Sequence, residues 1–251
     1  MLPRIQRAVR QPLLARAHGT VVSYYDSQSG QHVTYTDSVR VHGIVDEATT
    51  APSALEVRGL DSLEVSKESW LSPSIRQVLG EDKPIYIKSN DATPRGALAV
   101  DLSCESPRET WNDHLAQCAA ATKLGFAVKA VLKNAFATND VTIQLAGSLL
   151  ADAGAHLIIL DDTDNLTDED NLLEAYEALT WCDVVGLPMK QRVGLRLSQD
   201  LSSPQELLQY ALTDIHIRHF DVSVHGKQGL QPAALIDALN DAGISHPLRI
   251  E

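Results

Sequence analysis

The sequence predicts a (β/α)8 barrel that forms one domain and lacks one outer helix. Eight short β-rich runs alternate along the chain with stretches compatible with helices, and this alternation favours a closed parallel barrel over an open doubly wound sheet. The chain has 251 residues, the usual size of such a barrel. No internal repeat or low-complexity linker divides it, so residues 20–251 are expected to fold as a single domain.

The predicted strands are short and rich in β-branched and other apolar residues, which favour extended structure. Turn-forming or polar residues bound most of these runs, as expected for strands of four to eight residues. The strands are predicted at residues 20–25, 62–66, 84–88, 97–102, 127–132, 156–160, 193–197 and 220–224.

The stretches between the strands carry signals of helix termini. Gly125, Gly154 and Gly243 each follow a helix-compatible stretch, and glycine after a helix adopts the left-handed conformation without steric cost. Ser203 precedes Pro204, which suits an N-cap followed by a first-turn proline. Helices are predicted at residues 39–50, 72–79, 108–124, 139–153, 167–180, 204–213 and 232–242.

One crossover is too short to hold a helix. Between the strand at 84–88 and the strand at 97–102 only "SNDATPRG" is available, whereas a crossover between parallel strands normally needs a dozen residues or more. The outer helix between the third and fourth predicted strands is therefore expected to be missing. The apolar strip left there would be covered by the amino-terminal segment or by another protein.

Composition and charge exclude several classes of protein. No apolar run reaches 18 residues, so no transmembrane segment is expected. The net charge of −12 argues against direct nucleic-acid binding. Cys104, Cys118 and Cys182 share no close spacing, so neither a disulfide framework nor a zinc site is predicted, and a reducing compartment is favoured.

The first 19 residues differ from the remainder in charge. They contain four arginines and no acid, so the net charge divides into +4 for residues 1–19 and −16 for residues 20–251. Apolar residues recur between the arginines at helical spacing. An arginine-rich, acid-free amphipathic start is typical of a mitochondrial targeting segment, which predicts the mitochondrial matrix. The alternative is a basic arm that docks on an acidic surface of a partner or of this chain.

Four stretches, in order, resemble the metal-dependent lyase family related to 3-hydroxy-3-methylglutaryl-CoA (HMG-CoA) lyase. "VVSYYDSQSGQ" is similar to that family's first strand and Arg-Asp-Gly turn, and "GLDSLEVSKESWLSPS" to its second-strand segment. "LLADAGAHLIILDDTDN" resembles the sixth-strand segment, and "VGLRLSQD" with "HFDVSVHG" resembles the seventh and eighth. The resemblance spans about residues 20–245 and implies the barrel fold.

The resemblance also implies a divalent cation at the carboxyl end of the barrel, where it would act as a Lewis acid. The family's ligand positions fall here on Ser29, Arg196 and Ser198. A guanidinium has no lone pair to give a metal, and the loop after the eighth strand lacks the family's cysteine and asparagine. We therefore expect no metal, no other cofactor and no catalytic residue of the family's type.

Two acidic residues remain at positions that match the family. Glu64 on the second strand and Asp162 after the sixth are candidates for catalysis, although hydrogen bonding inside the barrel and capping of the next turn would equally explain them. His225, after the eighth strand, could act as an acid or base. Weaker candidates are a metal pair of histidines and a Schiff-base lysine; the residues are His216 and His219, and Lys88 and Lys133.

The sequence accordingly predicts a catalytically inactive lyase-like barrel that serves as an accessory subunit of a mitochondrial assembly with protein partners. A respiratory complex, the ATP synthase and the ribosome are not distinguished. The alternative is a metal-independent lyase or aldolase acting on a small carboxylate or acyl-CoA substrate. That enzyme would use Glu64, Asp162 and His225, with Arg196 binding an acidic substrate through two hydrogen bonds.

Overall fold

The structure is a computed structural model. It describes residues 20–26, 31–45, 52–66, 68, 71–88, 94, 96–181, 191–225 and 229–248; side chains are described from residue 38 onwards, except that of residue 225. Eight parallel strands close into a barrel in the order β10-β3-β4-β5-β6-β7-β8-β9. The predicted (β/α)8 barrel is therefore confirmed. Among the described residues, no helix has the length and apolar character that crossing a membrane requires.

After three initial strands, the strands and helices follow one another along the chain in the predicted order. The strands are β1 (Thr20–Asp26), β2 (Gln31–Asp37), β3 (Arg40–Val45), β4 (Ser62–Val65), β5 (Ile85–Lys88), β6 (Leu98–Ser103), β7 (Val128–Lys133), β8 (Leu157–Asp161), β9 (Val193–Arg196) and β10 (His219–His225). The helices are α1 (Pro73–Leu79), α2 (Trp111–Lys123), α3 (Asp140–Asp152), α4 (Glu169–Thr180), α5 (Pro204–Thr213) and α6 (Pro232–Asp241).

The first barrel strand is β3, where the sequence predicted part of a helix over residues 39–50. That prediction is wrong because a strand buried on both faces has no alternation of polar and apolar residues to separate it from a helix. Gly43 fits the strand closely: a Cβ there would lie 2.5 Å from Leu60 Cδ1 and 2.7 Å from Val224 Cγ2. β3 pairs with β10 on one side and with β4 on the other, which closes the barrel.

The strand predicted at residues 20–25 exists but does not belong to the barrel. β1 pairs with β2 in a separate two-stranded antiparallel sheet, with Thr20 opposite Asp37 and Asp26 opposite Gln31. The count of eight barrel strands was right because β3 takes the place that this strand had been given. A hairpin strand and a barrel strand have the same local composition, so only the pairing partner distinguishes them.

The helix termini follow the predicted signals with one correction. Gly125, Gly154 and Gly243 all have positive φ, of 77°, 94° and 66°. The helix predicted at residues 167–180 begins two residues later, after its N-cap Asp168. The Asp168 side chain accepts a hydrogen bond from the Asn171 amide, and the Asn171 side chain accepts one from the Asp168 backbone. This reciprocal arrangement satisfies two amide groups at the start of α4.

The crossover between β5 and β6 contains no helix in its described residues 94, 96 and 97, as the short connection predicted. Outside the barrel wall, the apolar faces of the strands and the six helices form one core, which includes Leu63, Leu102 and Leu132. The inward faces of the strands are different, because they carry a set of charged and polar side chains that position the candidate site.

Candidate functional site in the barrel interior

Four charged side chains meet inside the barrel, from strands that are distant in sequence. They are Glu64 on β4, Lys129 on β7, Arg196 on β9 and Asp221 on β10, and none is more than 3% exposed. Side chains alternate between the two faces of a strand, so the flanking apolar residues of each strand face the outer helices while these charges face inward. Burying isolated charges is costly, and buried ions in proteins are normally paired.

The four groups pair with one another. The Arg196 guanidinium donates from Nη2 to Glu64 Oε2 at 2.8 Å and to Asp221 Oδ2 at 2.6 Å, and from Nε to the same Asp221 oxygen at 2.9 Å. Lys129 Nζ lies 2.7 Å from Glu64 Oε2 and 2.7 Å from Asp221 Oδ1. Each carboxylate thus contacts both cations, and each cation contacts both carboxylates.

A second set of charges extends this network. Lys88 Nζ lies 3.0 Å from Asp101 Oδ2 and 3.2 Å from Glu64 Oε1. Asp161 Oδ1 lies 3.6 Å from Arg196 Nε, and its Oδ2 lies 3.1 Å from the Nζ atom of Lys133. The Lys88 and Lys133 side chains are 26% and 20% exposed. Together the network contains four carboxylates and four cations, so its formal charge is zero.

The pairing fixes the protonation states. Burial alone would raise the pKa of Glu64, but the charges of Arg196 and Lys129 outweigh it and hold that pKa well below its usual value. Burial would lower the pKa of Arg196, but Glu64 and Asp221 raise it further above its ordinary value. A general base or acid works best when its pKa is near the operating pH. Glu64 and Arg196 are therefore held in their charged forms and are unsuited to proton transfer.

The described residues of this network do not fit a divalent cation. Such an ion needs carboxylate or carbonyl oxygens that are free to coordinate it, whereas Glu64 Oε2 and both Asp221 oxygens are already paired with Arg196 and Lys129, and Glu64 Oε1 lies 3.2 Å from Lys88 Nζ. A metal placed beside them would face two positive charges. Within the described part of the chain, no three histidine, cysteine, aspartate or glutamate side chains are grouped so that they could hold a metal ion.

The other predicted site residues lie apart from this network. Asp162 follows β8, and its Oδ1 accepts the Leu166 amide proton at 2.9 Å; burial raises its pKa. This hydrogen bond stabilises the turn that follows β8, as the capping alternative predicted. Ser198 Oγ accepts the Asp200 amide proton at 3.2 Å. His225 is the last residue of β10, and its side chain lies outside the described residues.

The assignment of the family's first ligand position to Ser29 does not hold. It rested on a barrel strand at residues 20–25, and the first barrel strand is β3. In sequence, β3 is followed by Asp46 and Glu47. Residues 29, 46 and 47 all lie outside the described residues. Arg196, by contrast, does end the seventh barrel strand, β9, where the sequence analysis placed it.

A separate group of histidines occupies the amino-terminal end of the barrel interior. His42 Nδ1 lies 2.7 Å from Ser62 Oγ, and His42 Nε2 lies 3.0 Å from His219 Nδ1, with the two rings stacked. Burial lowers the pKa of both histidines, to about 4 for His219. His219 also hydrogen-bonds the Gln191 backbone. Neutral imidazole has one donor and one acceptor. All of these hydrogen bonds can therefore form when His42 and His219 each carry their proton on Nε2.

His156 and Tyr86 form a second neutral pair at this end. The Val128 amide donates to His156 Nδ1 at 2.9 Å, so the ring proton must lie on Nε2, which donates to the Tyr86 hydroxyl oxygen 2.7 Å away. Burial lowers the pKa of His156 to about 4 and raises the pKa of Tyr86. Both groups are therefore neutral at pH 7, and His219 belongs to this end rather than to a metal pair with His216.

Sequence reasoning found two members of the central network, Glu64 and Arg196, and missed Lys129 and Asp221. A signal was present: Lys129 interrupts the apolar run "AVKAVL", and Asp221 lies an even number of residues before His225 on the same strand. Both positions therefore share a strand face with residues expected to point inward. Lys88 and Lys133, considered as Schiff-base lysines, are instead paired with carboxylates.

Solved structures with the same fold include several lyases. The HMG-CoA lyase of Brucella melitensis is 13% identical over 84% of this chain and 93% of its own, with a TM-score of 0.65. The Bacillus subtilis HMG-CoA lyase is 13% identical over 85% and 89%, with a TM-score of 0.66. The carboxyl transferase domain of Rhizobium etli pyruvate carboxylase is 12% identical over 83% and 44%, with a TM-score of 0.59.

Neither the protein-family models nor the curated protein sequences give a match. The likeness to these lyase, aldolase and carboxyltransferase barrels is therefore a likeness of fold. At 12–13% identity it identifies no activity for this chain, and function has to be argued from the barrel interior and from the sequence.

Proposed function

We propose that this chain is a lyase-like barrel without lyase activity, which acts through its surface as an accessory subunit of a mitochondrial protein assembly. The observation that carries the proposal is the mutual pairing of Glu64, Lys129, Arg196 and Asp221 inside the barrel. The charged groups of these four side chains are taken up largely by contacts with one another, which supports a role other than substrate or metal binding.

Cleavage of a carbon–carbon bond by a lyase of this kind produces an enolate. It needs one group that stabilises the enolate and another that transfers a proton. A metal ion would supply the first of these, but the central carboxylates are already occupied by Arg196 and Lys129. Glu64 is a poor proton-transfer group because its pKa is held well below the usual value. Asp162 is engaged by the Leu166 amide. The engagement of Glu64 Oε2, both Asp221 oxygens and Asp162 Oδ1 among the described residues supports the proposal that the chain does not carry out this reaction.

The sequence supports the location and the mode of action. Residues 1–19 carry a charge of +4 and no acid, which is typical of a mitochondrial targeting segment, while residues 20–251 carry −16. The crossover between β5 and β6 is too short for an outer helix, and its described residues 94, 96 and 97 contain none. A partner protein would cover it in an assembly.

The competing proposal, a metal-independent lyase that binds an acidic substrate through Arg196, has less support. The Nε and Nη2 atoms of Arg196 bond Asp221 and Glu64, which leaves only Nη1 without a hydrogen-bond partner among the described residues. The network also has no net positive charge to attract an incoming carboxylate, because its four carboxylates balance its four cations. The substitution Arg196→Ala separates the two proposals, because only the enzyme would lose ligand binding.

The test is the native size of the endogenous protein in gently solubilised mitochondria, measured by native gel with mass spectrometry of co-migrating chains. We expect migration in a large complex of defined composition. A tagged Lys133→Met chain, altered only at the partly exposed end of the network, should co-migrate like the wild type. In parallel, purified protein should not cleave HMG-CoA with Mg²⁺ or Mn²⁺. Metal-dependent turnover, or a free monomer in mitochondrial extracts, would overturn the proposal.

A further inference from the structure

We propose that the Arg196 guanidinium is the built-in cation of this barrel. It fills, for three inward carboxylates, the place that a bound metal ion would otherwise take. The native protein then has no use for a divalent cation, and removing the guanidinium creates a site for one. The inference goes beyond the proposed function, because it concerns the barrel interior and holds whether or not the chain joins an assembly.

The geometry around Arg196 supports this assignment. Carboxylate oxygens from three strands surround its guanidinium: Asp221 at 2.6 Å, Glu64 at 2.8 Å and Asp161 at 3.6 Å. Hard divalent cations are bound by convergent oxygen ligands of this kind. Here the convergent charge is satisfied by a covalently attached group that cannot exchange or be chelated.

The charge balance explains why the native interior excludes a metal. The network contains four carboxylates and four cations, so it has no net charge for an added ion to neutralise. Substitution of Arg196 by alanine leaves four carboxylates with three lysines, and it empties the volume of a guanidinium between the oxygens. A hydrated divalent cation supplies both the missing charge and the missing ligand contacts.

The size of the side chain at position 196 provides a matched control. Arg196→Ala removes the charge and opens space, whereas Arg196→Met removes the charge and keeps most of the space filled. Both variants leave the same carboxylates undercompensated, so both should lose stability. Only the alanine variant should have room for an ion with its coordinating oxygens.

The experiment measures thermal unfolding of the purified chain in EDTA or in 1 mM Mn²⁺, which is about 100 times a dissociation constant of about 10 μM. Mn²⁺ binding is measured separately, from the loss of the electron paramagnetic resonance signal of free Mn²⁺. The wild-type melting temperature should be the same in both conditions, with no Mn²⁺ bound. Arg196→Ala should melt lower in EDTA and recover by about 5–10 °C in Mn²⁺. Arg196→Met should melt lower and recover little.

Two results would overturn the inference. One is stoichiometric Mn²⁺ binding by the wild type with a rise in its melting temperature. The other is an Arg196→Ala chain that neither binds Mn²⁺ nor responds to it. If Arg196→Ala does not fold in EDTA, its yield on refolding with Mn²⁺ replaces the melting curve, and an unchanged yield counts against the inference. Failure here is distinct from failure of the proposed function, which turns on turnover and native size.

Discussion

The two ends of the barrel interior bury polar side chains by opposite means. Towards the carboxyl ends of the strands the groups are ionised, and Arg196 and Lys129 each bond to Glu64 and Asp221. Towards the amino ends the groups are neutral, and His42, His156 and His219 have pKa values lowered by burial. Ion pairs stabilise one end, and hydrogen bonds of neutral imidazole rings stabilise the other.

This difference shows where each end is vulnerable. Removing one partner of a buried ion pair leaves an uncompensated charge in a low-dielectric interior, which is more costly than losing a neutral hydrogen bond. Acid, by contrast, should affect the neutral end first. Protonation of its imidazoles places positive charges where burial disfavours them. We therefore expect substitutions to affect the charged end most and acid to affect the histidine end.

The largest effect is expected from Asp221→Ala. This change removes the acceptor of three hydrogen bonds, from Lys129 and from two nitrogens of Arg196, and leaves Glu64 as the one carboxylate of the network that contacts both cations. The free energy of unfolding should fall by about 3–5 kcal/mol, measured from urea denaturation followed by circular dichroism. Asp237→Ala, at an exposed position on α6, is the control and should change stability by less than about 0.5 kcal/mol.

An Asp221→Ala chain as stable as the Asp237→Ala control would contradict the comparison directly. It would mean that water or a rearranged side chain compensates Arg196 and Lys129 without the carboxylate. It would also mean that Asp221 is not one of the carboxylates whose charge Arg196 has to balance.

The histidine end should make stability depend on pH between about 6.5 and 4. Each buried histidine has a folded pKa below the unfolded value of about 6.5, so in this range the unfolded chain binds protons that the native chain does not. The histidine contribution to stability is therefore complete above about pH 6.5 and is lost as pH falls. From pH 7 to pH 6 the free energy of unfolding should drop by about 2 kcal/mol for the three residues together, and it should fall more steeply below pH 6.

The measurement is a series of urea denaturation curves at pH 7, 6 and 5. His156→Gln should lower the slope of stability against pH, because glutamine does not titrate in this range. Val141→Ala, at an exposed position on α3, changes no titrating group and should leave that slope as it is in the wild type. Equal slopes for His156→Gln and the wild type would show that His156 is not a buried neutral group.

The barrel itself was predictable because most of its elements have local signals. Helix α5 (Pro204–Thr213) begins with a proline, a signal of a helix start, and was predicted with its observed bounds. The positive φ of Gly125 follows from its place after a helix. β3 was not predictable, since its apolar residues fit a helix as well as a strand buried on both faces. The role of β1 was missed because its composition does not show whether the strand pairs with β2 or joins the barrel.

The candidate site was predictable only residue by residue. Alternation along a strand indicates that Arg196 points inward, and likewise Glu64, but it does not say which residues they will meet. Lys129 and Asp221 are 92 positions apart in the sequence, and their contact depends on how the strands are arranged around the barrel. The sequence therefore suggested free catalytic groups where the fold brings opposite charges together.

The smallest effect is expected from Tyr86→Phe at the neutral end. The change removes the oxygen that accepts from His156 Nε2 and keeps the ring, whose centre lies 5.9 Å from Lys129 Nζ. One buried N–H loses its acceptor, so the free energy of unfolding should fall by about 1–2 kcal/mol, with Tyr210→Phe on α5 as the control. In a Tyr86→Phe/His156→Leu chain the loss should be less than the sum of the single changes, because the His156 Nε2 donor that Tyr86→Phe leaves unpaired is then absent. A loss from Tyr86→Phe alone as large as that from Asp221→Ala would show that neutral and charged ends are equally intolerant, and the contrast between them would fail.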